Sequence, residues 1–256
     1  MTEQKWPQLL WIVRHGQSAG NVARDAAERA GLPLIDIATR DIDTPLSALG
    51  ERQSEALGHW FGSLPEQQQP NVILCSSYVR ARNTARILLD AARIDEDDIT
   101  FIADERLREK EFGILDRLTR LGISAKYPEL HQQRAHVGKF YFRPPGGESW
   151  CDVILRLRSV LDTICREYRR ERVLIVAHQV IVNCFRYLLE RMDEQQILDI
   201  DRKDDVPNCA VTSYRFDPSR GRSGKLVLQQ VNFVAPLREA GAPVTVEPDV
   251  PGAPKS

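Results

Sequence analysis

The order of apolar and polar positions divides the chain into short buried runs and longer amphipathic stretches. Residues 9–13 form an apolar run containing Ile12 and Val13, stopped by Arg14-His15-Gly16. A run of that length, closed by a glycine, predicts a buried strand that ends in a loop. Residues 72–75, ending in Ser76-Ser77, and 173–177, ending at His178, repeat the pattern. Residues 100–102 are a weaker example. Between these runs the apolar spacing changes to that of helices. Leu46, Leu49, Ala56, Leu57, Trp60 and Phe61 make one stripe, with Ser47 placed to cap it. Trp150, Val153, Ile154, Leu157, Val160, Leu161, Ile164 and Tyr168 make a longer one. Val180, Ile181, Cys184, Phe185, Leu188 and Leu189 make a third. Short buried strands alternating with amphipathic helices predict an α/β fold around a mostly parallel sheet. Two later alternating runs, 210–216 and 226–234, predict a closing hairpin turned at 218–224.

The pattern weakens in three places. Residues 21–43 are polar and only partly helical. Residues 113–145 are irregular and carry Arg134, Lys139 and Arg143, a composition suited to a cap over a site. Residues 240–256 are rich in Pro, Ala and Gly with little to bury, and are expected to form a disordered tail. The rest, 1–239, is expected to be a single domain with insertions near 21–43 and 113–145. A chain of 256 residues with 42% hydrophobic content is long enough for one large core.

Composition narrows the partners. No segment approaches the roughly 20 apolar residues that span a bilayer. The run 9–13 is too short for a signal-peptide core, so the expected location is the cytoplasm. Lys and Arg number 35 against 36 Asp and Glu. That balance argues against a general nucleic-acid or membrane-surface role, while leaving room for a local basic pocket. The five cysteines, Cys75, Cys151, Cys165, Cys184 and Cys209, are scattered without metal-ligand spacing. They predict reduced, mostly buried thiols rather than a disulfide framework or a zinc site. Oligomeric state is not legible.

Candidate chemistry sits where three strands end. Ligands of open α/β sheets collect at the carboxyl ends of strands. There the chain offers Arg14-His15-Gly16-Gln17-Ser18, then Ser76-Ser77-Tyr78-Val79-Arg80-Ala81, then His178-Gln179. If the strands are neighbours, two histidines and two arginines converge. Guanidinium forks hold phosphate oxygens bidentately, and one imidazole can attack phosphorus while the other stabilises charge on the group in transfer. One histidine at one strand end carries little weight; the combination at three ends carries much more.

The same residues resemble the histidine phosphatase superfamily, which includes the cofactor-dependent phosphoglycerate mutases. Arg14-His15-Gly16-Gln17-Ser18 with Asn21 resembles its opening motif. Asp43-Thr44-Pro45-Leu46-Ser47-Ala48-Leu49-Gly50 resembles its helix-start motif. Ser76 through Ala85 resembles the block whose arginine binds phosphate. Leu107-Arg108-Glu109-Lys110-Glu111-Phe112-Gly113 is similar to the block holding the proton donor, and Val176-Ala177-His178 to the block with the second histidine. The blocks run in the family's order over about residues 9–190. The resemblance implies a phosphoglycerate mutase-like fold, a three-layer α/β sandwich with a mostly parallel central sheet flanked by helices. It implies His15 as nucleophile, Arg14, Arg80 and His178 around the phosphoryl group, and Glu109 as proton donor and then base, with Glu111 a rival for that role. It further implies polar contacts to substrate from Gln17, Ser18, Asn21 and Gln179, with no metal and no cofactor.

Departures from the family's mutases lean toward hydrolysis. Phe112 stands where mutases have Tyr, Gln179 where Gly is usual, and residues 113–145 lack the mutases' Arg-Arg pair. Pro145-Gly146-Gly147-Glu148-Ser149 resembles a Gly-Glu-Ser block of phosphatase branches, with Glu148 or Ser149 placed to cap the following helix. The expected function is hydrolysis of a small soluble phosphoester through phosphohistidine at His15. The alternatives are a phosphoglycerate-type phosphomutase and a non-catalytic module that binds a phospho-ligand or protein.

Overall fold

The computed structural model describes residues 4–246. Six strands form one sheet in the order β3-β2-β4-β1-β5-β6. They are β1 (Leu9–Arg14), β2 (Val72–Ser76), β3 (Thr100–Asp104), β4 (Arg172–Ala177), β5 (Val211–Asp217) and β6 (Lys225–Phe233). The first four are mutually parallel, and β5 pairs antiparallel with both β1 and β6. Helices α1 (Ala19–Arg29) and α2 (Ala48–Ser63) connect β1 to β2, and α3 (Val79–Ala92) connects β2 to β3. Helices α4 (Arg120–Lys126), α5 (Pro128–Val137) and α6 (Trp150–Glu167) lie between β3 and β4. Helices α7 (Gln179–Glu190) and α8 (Glu194–Lys203) follow β4, and α9 (Ala235–Glu239) follows β6.

The strands read as unbroken apolar runs because both sheet faces are covered. Successive side chains of β1 point to opposite faces. Leu10 and Ile12 join the core shared with α6 and α7, around Trp150, Leu157, Ile181 and Phe185. Leu9, Trp11 and Val13 join the core shared with α2 and α3, around Leu57, Phe61, Ala85 and Leu88. Strand β4 divides in the same way, with Val173 and Ile175 on the first side and Leu174 and Val176 on the second. The result is the expected three-layer sandwich.

The weak run at 100–102 is an edge strand. Strand β3 pairs on one side only, and Ile102 is 39% exposed, so its sequence lacks the apolar continuity of the central strands. Residues 113–145, expected to be irregular, contain α4 and α5 over a small core of Leu115, Leu118, Ile123 and Phe142. Helix α8 has no counterpart in the pattern reading; only Ile197 of its apolar positions is fully buried. The polar stretch from 240 is not a loose tail as far as it is described. Ala242 is buried, the Pro243 carbonyl accepts from Gln53 at 2.8 Å, and Thr245 donates to Asn208 at 2.9 Å. The remainder of that expected tail, residues 247–256, lies outside the described residues.

Candidate active site

Register brings the three chemistry-bearing strand ends together. Strand β4 lies between β1 and β2, with Arg14 opposite Ala177 and Cys75 opposite Val176. Three adjacent parallel strands therefore stop at one level. Beyond them His15, Ser76 and His178 enter the same space, and the His15 and His178 rings are 5.1 Å apart.

The loop after β1 is held by close backbone contact with α2. The Gln17 N–H donates to Gln53 Oε1 at 2.9 Å, and the Ser47 N–H donates to the Gln17 carbonyl at 2.9 Å. A Cβ on Gly50 would sit 2.0 Å from the Gln17 carbonyl oxygen, and one on Gly16 would sit 2.5 Å from the Gly50 oxygen. Both contacts are shorter than any real side chain tolerates, so the loop reaches this position only with glycine at both places.

His15 is buried, and its proton is fixed from both sides. Its Nδ1 lies 2.7 Å from the Gly16 carbonyl, which can only accept. Its Nε2 lies 3.2 Å from Arg80 Nε, which can only donate. The ring is thus the neutral tautomer with the proton on Nδ1 and a lone pair on Nε2. Burial first, then the charges of Arg80 and Arg14, hold its pKa well below the ordinary 6.5.

His178 caps the start of α7 and is fully buried. Its Nε2 lies 2.8 Å from Ser76 Oγ, while its Nδ1 lies 4.0 Å from Glu109 Oε2 and has no hydrogen-bond partner. Burial, followed by Arg80 and His15, also lowers its pKa well below 6.5. Below that value the unfolded chain protonates these histidines and the folded chain does not, so acid favours unfolding. Stability is expected to be full above about pH 6.5. Below it stability falls with up to about 1.4 kcal/mol per pH unit for each of the two groups. Denaturant titrations across pH 5–8 check this, and His178→Gln is expected to remove about one proton from the slope.

Two arginines flank the rings. Arg14 ends β1, is almost wholly buried, and donates from Nη1 to the Val206 carbonyl at 2.5 Å. Arg80 sits in the first turn of α3, with its guanidinium 4.9 Å over the Tyr78 ring. It donates to Asp41 from both terminal nitrogens: Nη1 to Oδ1 at 2.8 Å and to the Asp41 carbonyl at 2.6 Å, and Nη2 to Oδ2 at 3.3 Å.

Glu109 is buried, with Oε1 accepting from the Lys110 N–H at 2.7 Å. Its rival Glu111 is held outside, accepting from the Tyr78 hydroxyl at 3.1 Å and lying 3.7 Å from Arg108. The turn carrying Glu109 is braced from α6. Arg156 donates to the backbone carbonyls of Arg106 and Glu109, and Glu148 binds both Arg156 at 3.0 Å and Arg108 at 2.8 Å. Burial is the largest single influence on the Glu148 pKa and raises it, but the hydrogen bond and charge of Arg156, the Glu111 N–H and the charge of Arg108 together outweigh it, and the net shift is downward. Ser149, not Glu148, caps α6, in a reciprocal box with Asp152.

The expected substrate contacts divide. Ser18 and Asn21 line the pocket beside His15, where they also form the capping box of α1. Gln17 turns away: its Oε1 accepts from Ser47 Oγ at 2.7 Å, and it does not line the pocket. Gln179 also lies outside the lining and donates to Asp205 at 2.9 Å. In their place the pocket wall is built from residues the pattern reading passed over: Arg24, Asp41, Asp116 and Arg117, with Ile35 and Ile37. They come from the two segments with the least pattern. These meet where Leu34 bridges Leu118 and Arg117 donates to the Thr39 carbonyl at 2.9 Å. Among the described residues no cluster of His, Cys, Asp and Glu is placed to hold a metal, and no helix is long and apolar enough to cross a membrane.

The chain is similar in sequence and in fold to known proteins. The chain is 32% identical over 232 residues to a 2,3-bisphosphoglycerate-dependent phosphoglycerate mutase of Gloeobacter violaceus, covering 89% of this chain and 94% of that one. It is 30% identical over 224 residues to a 6-phosphofructo-2-kinase/fructose-2,6-bisphosphatase of Caenorhabditis elegans, covering 84% of this chain and 43% of that longer protein. The fold matches the alpha-ribazole phosphatase of Shigella flexneri with a TM-score of 0.69 at 19% identity, over 89% of this chain and 97% of that one. It also matches a mycobacterial glucosyl-3-phosphoglycerate phosphatase with a TM-score of 0.65 at 24% identity, over 90% and 99%. The sequence profile of the histidine phosphatase superfamily (branch 1) covers residues 10–228, and the chain belongs to that superfamily.

Proposed function

We propose that the protein is a phosphatase that hydrolyses a small phosphoester through a phosphohistidine at His15. The observation that carries this reading is the His15 ring itself. Its tautomer is fixed by Gly16, and its Nε2 lone pair faces the guanidinium of Arg80. A neutral imidazole with its lone pair directed into a cationic pocket is a nucleophile for phosphorus. In the first step Nε2 bonds to phosphorus as the bond to the ester oxygen breaks. Glu109 gives that oxygen its proton, and the alcohol leaves. In the second step Glu109 takes a proton from water, whose oxygen attacks phosphorus and releases phosphate from Nε2. In this reading Arg14 and Arg80, which line the pocket with His15, would carry the charge of the equatorial phosphoryl oxygens, supported by His178, whose ring lies 5.1 Å from that of His15 although it does not itself line the pocket.

Hydrolysis is favoured over phosphoryl return by the departures from the mutase pattern: Phe112 stands where mutases have Tyr, Gln179 where Gly is usual, and residues 113–145 lack the mutases' Arg-Arg pair. The similarity to the Gloeobacter mutase supports the competing reading of a phosphomutase. A panel of phosphoesters, assayed with and without 2,3-bisphosphoglycerate, separates the two. The expected result is phosphate release from one or more esters, an acid-labile phosphoryl group on the enzyme, and no stimulation by the bisphosphate. Bisphosphate-stimulated isomerisation with little hydrolysis would reverse the assignment.

A further inference from the structure

Arg80 is almost fully used by the protein. Of its five N–H groups, one donates to His15 Nε2 and three donate to Asp41. A guanidinium in that condition cannot form a two-point contact with a phosphoryl group unless at least one of these bonds is given up. The carboxylate of Asp41 also meets the fork with one oxygen near each terminal nitrogen, at 2.8 and 3.3 Å. That is the geometry a phosphate would use. Arg80 Nε meanwhile engages the lone pair with which His15 would attack. One arginine thus ties up both the clamp and the nucleophile, and Asp41 is what anchors it.

We propose that Asp41 is a specificity-determining residue of the phosphate site, a carboxylate that occupies the place of a phosphoryl group on Arg80 and must yield to it. This rests on the reading of Arg80 as a phosphate-binding residue. Asp41 is suited to yielding. It lies in a single turn, residues 41–43, its side chain is 43% exposed, and its neighbour Asp43 is paired outward with Arg40. Arg80, by contrast, is fixed in α3 with its side chain only 6% exposed. An incoming dianion therefore meets one negative charge already seated on the clamp. Its charge repels the Asp41 carboxylate, and the cost of displacing that carboxylate lowers affinity for any ligand offering a phosphate alone. A larger ester recovers the cost through contacts of its organic part with the wall at Ile35, Ile37 and Phe112. Small free phosphate is thereby disfavoured, which also limits retention of the hydrolysis product.

The opposite role is equally definite: Asp41 would be a buttress that orients Arg80 for phosphate. The two roles predict opposite signs. Calorimetric titration of the full chain with inorganic phosphate, for the wild type, Asp41→Asn and Asp41→Ala, decides between them. Displacement predicts that both variants bind phosphate about tenfold or more tightly than the wild type. It also predicts a lower KM for a minimal ester such as p-nitrophenyl phosphate, with kcat changed far less. Asp43→Asn removes the same charge two residues away without touching Arg80, and is expected to bind phosphate as the wild type does. Unchanged or weaker binding in both Asp41 variants, beside measurable binding in the wild type, overturns the proposal and leaves the phosphatase reading intact. If neither the wild type nor the Asp41 variants bind phosphate, the reading of Arg80 falls, and this proposal falls with it.

Discussion

Replacing His15 by Ala is expected to abolish turnover, lowering kcat by about 10,000-fold or more. Loss of a covalent nucleophile removes the two-step route altogether instead of weakening one step. The variant keeps its fold in this expectation, because the backbone of His15 makes the local contacts. Its N–H donates to the Ala177 carbonyl at 2.9 Å, and its carbonyl accepts from Asn208 Nδ2 at 3.0 Å. Alanine preserves both. The imidazole adds the Nδ1 bond to Gly16, the acceptor for Arg80 and an edge contact with the His178 ring. A thermal melt and phosphoester assays report the two properties separately. Wild-type enzyme quenched in acid-avoiding conditions is expected to carry labelled phosphate that acid removes, and the variant none. Normal turnover in a folded His15→Ala protein would refute the mechanism.

How much of this was legible depends on what each residue packs against. His15 and His178 follow apolar runs long enough to be read as buried strands, and both lie at the level where parallel strands stop. Their meeting needed one further fact, that β4 lies between β1 and β2. Glu109 and Glu111 are rivals in sequence, and the structure gives a physical contrast: Glu109 is buried beside His178, while Glu111 faces Tyr78 and Arg108. Gln17 and Gln179 misled because Gln17 precedes the pocket residue Ser18 and Gln179 follows His178, the neighbour of His15, yet their side chains are taken by Ser47 and Asp205. Adjacency along an extended backbone sends neighbours to opposite sides. Asp41, Asp116 and Arg117 were not legible at all. They lie in polar segments with no period, and their position is set by tertiary contacts such as Leu34 with Leu118, which no local pattern announces. Arg156 was hidden differently. It falls on the polar side of a clear helical stripe and would pass for a surface charge, whereas it reaches across to the carbonyls of Arg106 and Glu109.

Glu109→Gln carries the second large effect, a loss of about 100- to 10,000-fold in kcat for esters of ordinary alcohols. The substitution preserves shape. The amide oxygen can still accept from the Lys110 N–H as Oε1 does at 2.7 Å, and the Arg156 contact goes to the Glu109 backbone, so the braced turn persists. What is lost is a proton donor for the leaving oxygen and a base for water. These two losses separate by choice of substrate. An ordinary alkoxide cannot leave unprotonated, so phosphorylation of His15 itself slows. With p-nitrophenyl phosphate the leaving group departs without help, and only the attack of water lacks its base. Glu109→Gln is therefore expected to release about one equivalent of p-nitrophenol per site in a burst. It then stalls as phospho-His15, visible as acid-labile label that decays slowly. Glu111→Gln, which alters an exposed carboxylate bound to Tyr78 and Arg108, is expected to show neither the burst nor the stall. Equal slowing on both classes of ester with no accumulated phosphoenzyme would remove Glu109 from the second step. A burst in Glu111→Gln instead would transfer the role to that residue, and with it the question of why the buried carboxylate 4.0 Å from His178 is not the one that acts.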